Sequence, residues 1–421
     1  VTALRIAVLC PHFAPDTAPT GVVMTRIVTE LAARGHELHV VTALPWYREH
    51  RIEAGWEPTG WRDRFVRTER TAWGSITRVH PFPGGDKRNL VRRAAGFAGF
   101  GVLAGLASWR GGRVDAVIAM SPPLTMGLTG WSTHLVRRGP LVFNIQDVFP
   151  DAAVRTGAIT NRRIIAAANR LERLSYHRAA AVTVLSDDLR DNVAAKVRAD
   201  HRGRIHVIPN FVDTVAITPS DRSTSYRRDL GIGDEPVVMY AGNVGFSQSL
   251  HLVVAAAREL PGITFVVNGD GSARASLERS AAGLPNVRFV GYQPVERLAE
   301  VLASGDLHVV PLRAGLGNVS VPSKTYSILA AGRAVLAAID AGTEVTRIVE
   351  AAGAGRVVAP DDVDAFVAAV RDLTSDPAAL AAMGAAGRRW VETAASPAAV
   401  AQRYEELLVG LARHPFDRTG R

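Results

Sequence analysis

The chain has 421 residues and a mass of 45.0 kDa, enough for two or three domains with a large buried core. With 47% hydrophobic and 21% charged residues it is neither disordered nor fibrous, and its one cysteine, Cys10, excludes an internal disulfide framework and a cysteine-based zinc site. Its 49 Lys and Arg against 40 Asp and Glu leave a charge of +9, which points to an anionic partner: nucleic acid, a membrane surface or a phosphate-bearing small molecule.

The first strand is expected at residues 5–10, after an opening too short for a leader. The single cysteine makes a reducing, cytoplasmic compartment the default expectation. Strands are expected next at 36–43, 115–120, 141–147 and 181–186, with Ala-rich helical stretches between them. The uncharged run 94–109 has 16 residues, four of them glycine. That falls short of the roughly 20 apolar residues a spanning helix needs, which excludes an integral membrane protein but not a peripheral one. Further strands are expected at 204–210, 237–242, 264–270, 287–291, 307–312 and 334–340. Several lack polar alternation, as parallel strands covered by helices on both faces do. Eleven strands exceed one comfortable doubly wound sheet, so two Rossmann-like α/β domains are expected. Residues 212–235 read as a linker, with the boundary near 210–214. Helices at 363–373, 378–391 and 397–411 close the chain, followed by a polar tail.

Junctions of strand and glycine carry the chemistry, because backbone N–H groups there can approach phosphate. Tyr240-Ala241-Gly242-Asn243-Val244-Gly245 follows one strand and Asn268-Gly269-Asp270-Gly271 another. Neither matches the dinucleotide or P-loop fingerprint. Singly, such glycines more often only make tight turns; as a set they carry more weight. Pro311-Leu312-Arg313 leads through a glycine-bearing loop into Ser320-Val321-Pro322-Ser323-Lys324. Pro322 suits a first helical turn and Ser320 an N-cap, with Arg313 and Lys324 beside the helix start, an arrangement suited to pyrophosphate. The plainer reading of Lys324 is a solvated surface charge.

Other segments join these in order: Pro11-His12-Phe13-Ala14-Pro15 with Gly21, Ala33-Arg34-Gly35-His36-Glu37-Leu38, Asp147-Val148-Phe149-Pro150-Asp151 and Ile208-Pro209-Asn210. The densest run is Val321-Pro322-Ser323-Lys324-Thr325-Tyr326-Ser327-Ile328-Leu329-Ala330-Ala331-Gly332, followed by Gly353-Ala354-Gly355. On these the chain resembles the retaining glycosyltransferases of family four, in the branch that assembles bacterial surface polysaccharides and includes fucosamine-transferase-like enzymes. The resemblance implies the GT-B fold, two Rossmann-like doubly wound domains facing across a cleft. Residues 1–210 would bind the acceptor and 211–394 the nucleotide-sugar, while 395–421 would form a helix packing back on the first domain.

It further implies transfer of a hexosyl or N-acetylaminosugar unit with retention, and neither metal nor cofactor. The donor would be held by Gly242, Asn243, Gly245, Gly269, Asp270, Arg313, Ser323, Lys324, Ser327 and Glu344. The acceptor would be held by His12, Thr20 and Gly21. Asp147, Gln146 and Lys324 would act at the reacting centre, with Asp147 contacting the acceptor, orienting Gln146 or merely capping the next turn. Three departures stand out. Val319 and Ser327 occupy the places of a glutamate pair common in the family. Gln146, which cannot titrate, stands where many members have histidine. Ser247-Gln248-Ser249 lacks the lysine often found after Gly245.

Charge is concentrated in residues 48–113, where 13 basic and 6 acidic residues give +7 and four of the seven tryptophans stand, with a fifth, Trp46, just before them. Arg92 and Arg93 precede the apolar run, and Arg110 and Arg113 follow it. That pattern fits an anionic membrane at the inner face, through 92–113, and the family resemblance implies a lipid-diphosphate-linked acceptor there, with a small-molecule acceptor as the other option. A core helix with solvated arginines would read the same way. Two further readings stay open: a catalytically silent sugar-nucleotide binder or scaffold, and an epimerase-like relative. Nucleic acid is disfavoured, since no nucleic-acid-binding module appears.

Overall fold

The computed structural model describes residues 3–48, 51–57, 60, 65–82, 90–151, 154, 159–316 and 323–413, and only the backbone of 90–95. Expectations that fall on Ser320, Pro322 and Val319, and on the side chains of Arg92 and Arg93, lie outside the described residues. The chain divides into two compact units, Val1–Pro209 with Val400–Arg421, and Asn210–Ala399.

The first unit is built on an eight-stranded sheet: β1 (Arg5–Leu9), β2 (Glu37–Ala43), β3 (Val66–Thr71), β4 (Gly74–Val79), β5 (Ala116–Ser121), β6 (Leu141–Ile145), β7 (Ala181–Val184) and β8 (Ile205–Val207). Their order across the sheet is β3-β4-β2-β1-β5-β6-β7-β8. All neighbours are parallel except β3 and β4, which form an antiparallel hairpin. The central strands β1 and β5 are almost wholly apolar and buried. Helices α1 (Pro19–Ala33), α2 (Leu90–Ser108), α3 (Met126–Arg137), α4 (Arg162–Arg178) and α5 (Asp187–Ala194) connect them. The direction of winding reverses between β1 and β5, so the crevice at their carboxyl ends is where such a sheet takes ligands.

The second unit holds a six-stranded, wholly parallel sheet: β9 (Val237–Ala241), β10 (Thr264–Asn268), β11 (Val287–Val290), β12 (Leu307–Pro311), β13 (Ala334–Ala338) and β14 (Gly355–Val358), in the order β11-β10-β9-β12-β13-β14. Here the winding reverses between β9 and β12. Its helices are α6 (Ser225–Asp229), α7 (His251–Glu259), α8 (Arg274–Ser280), α9 (Leu298–Ser304), α10 (Lys324–Ala330), α11 (Glu344–Ala352), α12 (Val363–Thr374) and α13 (Pro377–Ala394). The last helix, α14 (Pro397–Arg413), carries the chain into the first unit.

Two expectations change. The stretch 212–235 is not a bare linker. It contains α6, capped by the Thr224 hydroxyl accepting the Arg227 N–H. Tyr226 and Ile232 are buried against Val237, Met239 and Val266, so apolar burial draws the segment into the second unit. Strands β3, β4 and β14 were not expected. The hairpin mixes Arg, Glu and Thr on a sheet edge, and β14 is four residues long; neither offers a long apolar run.

Candidate active site

In the second unit the turns after β9 and β10 are fused backbone to backbone. Gly242 N–H donates to the Asn268 carbonyl (2.9 Å), and Val244 N–H to the Asp270 carbonyl (2.9 Å). Gly242 and Gly269 have φ of +147° and +149°, a region that side chains rarely adopt. A Cβ on Gly269 would lie 1.9 Å from the Gly242 carbonyl oxygen. Glycine is therefore required by both conformation and space. Gly245 N–H donates to Gln248 Oε1 (3.0 Å), so the glutamine in the lysine-free segment Ser247-Gln248-Ser249 closes the turn. Asn243 and Asp270 are exposed beside it.

The loop after β12 joins this cluster at the point of reversal. Arg313 N–H donates to the Ser247 carbonyl (3.0 Å), and the exposed Arg313 guanidinium has no partner among the described residues. Asp340 accepts the Gly315 N–H (2.9 and 3.0 Å), and Asp361 binds Ser249 and the Ala314 N–H. These two carboxylates fix the loop and were not foreseen.

Lys324 supplies the cation. Its Nζ donates to the Tyr240 hydroxyl (2.8 Å) and lies 4.0 Å from that ring's centroid. A Cβ on Gly242 would stand 3.3 Å from the same Nζ. Among the described residues no carboxylate is within ion-pair reach. Part of the side chain stays exposed, yet the protein around the amine strips it of water and pushes its pKa down from 10.5 to about 7. Lys324 is therefore not the solvated surface charge of the plainer reading. Helix α10 begins at Lys324 itself; Ser323 stands at the cap position in helical conformation and makes no side-chain cap. What the described residues gather at its start is the amine and the glycine turns. Ser323 is exposed and Ser327 half-buried on the same helix. Glu344, first residue of α11, is bound by Arg347 (3.0 Å).

In the first unit the loop after β1 carries His12, whose Nδ1 lies 2.8 Å from Asp16 Oδ2. The ring stacks on Trp46 at 5.5 Å and meets Tyr47 edge-on at 5.5 Å. A Cβ on Gly21 would lie 2.8 Å from His12 Cβ, so glycine there lets α1 close on the histidine. Thr20, half-buried, is in the first turn of α1. Asp16, buried to 3%, was not foreseen.

Gln146 is buried after β6. Its Nε2 donates to Asn144 Oδ1 (2.9 Å), and Asn144 in turn donates to Thr183 Oγ1 (3.0 Å) and Tyr404 (2.7 Å). Gln146 is thus oriented by Asn144 and, through it, by α14, and not by Asp147 as one expectation had it. Asp147 is exposed, has no hydrogen-bond partner among the described residues, and its carboxyl is lifted above the usual range by loss of water to the surrounding protein. The capping role weighed for it is not seen. Helix α14 is held to the first unit again at Glu405, which accepts from Arg34 (2.8 Å) and meets His36 (3.1 Å). A cavity of about 740 Å³ beneath this helix, lined by Arg190, His206 and Arg403 among others, contains none of the residues above.

Comparison with known proteins extends over most of the chain. Residues 20–210 match the family model described as glycosyl transferase 4-like domain, and residues 235–376 match glycosyl transferases group 1. WcaI of Escherichia coli (strain K12), named as a glycosyl transferase of colanic acid biosynthesis, is 28% identical over 387 residues, 87% of this chain and 91% of that protein. Sucrose-phosphate synthase from Thermosynechococcus elongatus shares the fold with a TM-score of 0.74 at 18% identity, over 97% of this chain and 99% of that one. HepE from Anabaena, solved in complex with UDP-glucose, aligns with a TM-score of 0.65 at 15% identity, over 97% and 100%. The two family models and WcaI match in sequence, the solved structures match in fold the two units with their largely parallel sheets reversing at the centre, and the chain belongs to the family-four glycosyltransferases of GT-B fold.

Proposed function

We propose that this glycosyltransferase takes its sugar, a hexosyl or N-acetylaminosugar unit, from a nucleoside-diphosphate donor and passes it with retention to an acceptor hydroxyl, using no metal. The observation that carries the reading is Lys324: an amine stripped of water, with no carboxylate in ion-pair reach among the described residues, beside two glycine turns at the reversal point of a parallel sheet. A diphosphate is the partner such a group lacks. As the bond between sugar carbon and phosphate oxygen breaks, charge grows on the leaving diphosphate, and a preplaced cation stabilises it without reorganisation. Gly242, Asn243, Gly245, Gly269 and Asp270 line the donor in this reading, with Arg313 as second cation. Ser323 and Ser327 offer hydroxyls, and Ser327 replaces a family carboxylate. Glu344 contributes through its pairing with Arg347. UDP-glucose bound to HepE and the naming of WcaI for colanic acid biosynthesis support the donor class and a role in cell-surface glycan synthesis.

The acceptor is assigned to His12, Thr20, Gly21, Gln146 and Asp147 of the first unit. A lipid-linked acceptor at an anionic membrane is favoured over a small molecule by the surface of α2. Val102, Leu106 and Trp109 are 66%, 47% and 41% exposed at helical spacing, beside exposed Arg110 and Arg113. Gly101 and Gly105 face Thr129 and Ser132 of α3, so the helix packs on its small side and shows its apolar side. Among the described residues no helix is long and apolar enough to cross a membrane.

Thermal shift against UDP, GDP and their sugars tests the donor. A nucleotide at a hundred times its Kd should add about 2.7 kcal/mol, and donor turnover should vanish in Lys324→Ala. No shift with any nucleoside diphosphate would overturn the donor site, and binding without turnover would favour the silent sugar-nucleotide binder. For the membrane, co-sedimentation should be stronger with anionic than with neutral vesicles; equal binding, or none, sinks that part.

A further inference from the structure

Only three lysines occur in the chain, Lys87, Lys196 and Lys324, and arginine supplies the other 46 positive side chains. Lys196 is bracketed by Asp151 (2.9 Å) and Glu172 (2.7 Å). Lys324 has a phenol instead. Tyr240 is the fourth residue of β9, wholly buried in the core of the second unit, so its ring is a fixed object. Its hydroxyl donates to the Asn243 carbonyl (2.5 Å) and accepts from Lys324 Nζ (2.8 Å). Burial pushes the phenol above its ordinary range, which keeps that proton on oxygen. Donating to one partner makes the oxygen a better acceptor for the other. The ring face adds a cation–π contact at 4.0 Å. A lysine stem has four rotatable carbons and a charge that points nowhere in particular; here one N–H is committed to Tyr240, leaving two to face an anion beside Gly242.

We propose that Tyr240 is a positioning residue of the diphosphate site: its phenol locks the Lys324 ammonium against the Gly242–Gly245 turn, so that amine, phenol and turn recognise an anion as one unit. The inference rests on the donor reading above, and it assigns a role to a tyrosine that reads in sequence as core filling. The carbonyl of Asn243 and the amine 81 residues later are tied through one oxygen, so the turn and the cation cannot move independently.

Calorimetric titration of UDP and UMP, with GDP and GMP as the guanine pair, tests it on the wild type, Tyr240→Phe, Lys324→Met and the double variant. Tyr240→Phe should weaken the diphosphate about tenfold and leave the monophosphate within twofold, and it should have no further effect once Lys324 is methionine. Lysine labelled with 13C and 15N gives at most three side-chain signals. The one missing from Lys324→Met should move in Tyr240→Phe and again on adding UDP to the wild type. Equal loss for mono- and diphosphate, simple additivity in the double variant, or an unmoved Lys324 signal would each overturn the proposal while leaving the donor site standing. A wild type that binds neither diphosphate would overturn both.

Discussion

Replacing Lys324 by methionine should make the second unit more stable and less able to hold a nucleoside diphosphate. Loss of water to the surrounding protein pushes the Lys324 amine down from the ordinary 10.5 to about 7. At about 1.4 kcal/mol per pH unit, the folded unit carries roughly 5 kcal/mol against the charged amine. Water reaching the part-exposed side chain cuts that to about 2 kcal/mol. The sign follows from proton counts. Between pH 7 and 10.5 the unfolded chain holds a proton on Lys324 that the folded one lacks, so stability from this group rises with pH across that window and is lowest below pH 7. Methionine keeps most of the volume and removes the charge.

The gain should therefore be greatest near pH 6 and fade toward pH 10. For a domain of this size 2 kcal/mol corresponds to about 4–8 °C in Tm. Affinity should move the other way, since a charged hydrogen-bond donor to a diphosphate is worth about 1.5–3 kcal/mol, or roughly 10- to 150-fold in Kd. Scanning calorimetry at pH 6 and pH 9, paired with UDP and GDP titration, reads both quantities on one sample. A methionine variant that melts below the wild type at pH 6, or that holds UDP as tightly, would refute the view that Lys324 is a desolvated cation kept for an anion.

Gly269→Ala puts a Cβ 1.9 Å from the Gly242 carbonyl at a φ of +149°, so it should cost about 2 kcal/mol or more by denaturant titration and remove UDP binding. Gly262→Ala, with open space around it and no positive φ, should do neither. Tyr404→Phe removes the hydrogen bond to buried Asn144 and should cost the first unit about 1–2 kcal/mol in urea unfolding. Glu405→Ala leaves Arg34 and His36 without their shared carboxylate; helix α14 should then exchange its amide hydrogens faster than in the wild type, while α12 keeps its protection.

How much could be seen in the sequence depended on how local each cause is. Eleven strands announced themselves as apolar runs because their own side chains fill the core. The turns at Gly242 and Gly269 were legible because only glycine accepts the backbone they need. What escaped detection is held by partners far apart in the chain. Tyr240 looks like any buried aromatic until Lys324 arrives from 84 residues away, Asn144 needs Tyr404 from 260 away, and Asp340 and Asp361 meet the loop after β12 from the separate turns that follow β13 and β14. The charge shows the same limit. A surplus of +9 forecasts an anionic partner, yet it is summed mostly over arginines, many of which are already paired with carboxylates. An anion is drawn instead to a cation that has lost its water and gained no acid, and net charge is blind to both losses. Arginine, which stays charged and fills a wide planar fork, would not fit beside Gly242 as a compact ammonium does. The rarity of lysine in this chain, with one of three placed against a buried phenol, is thus a sharper sign of phosphate chemistry than the net charge.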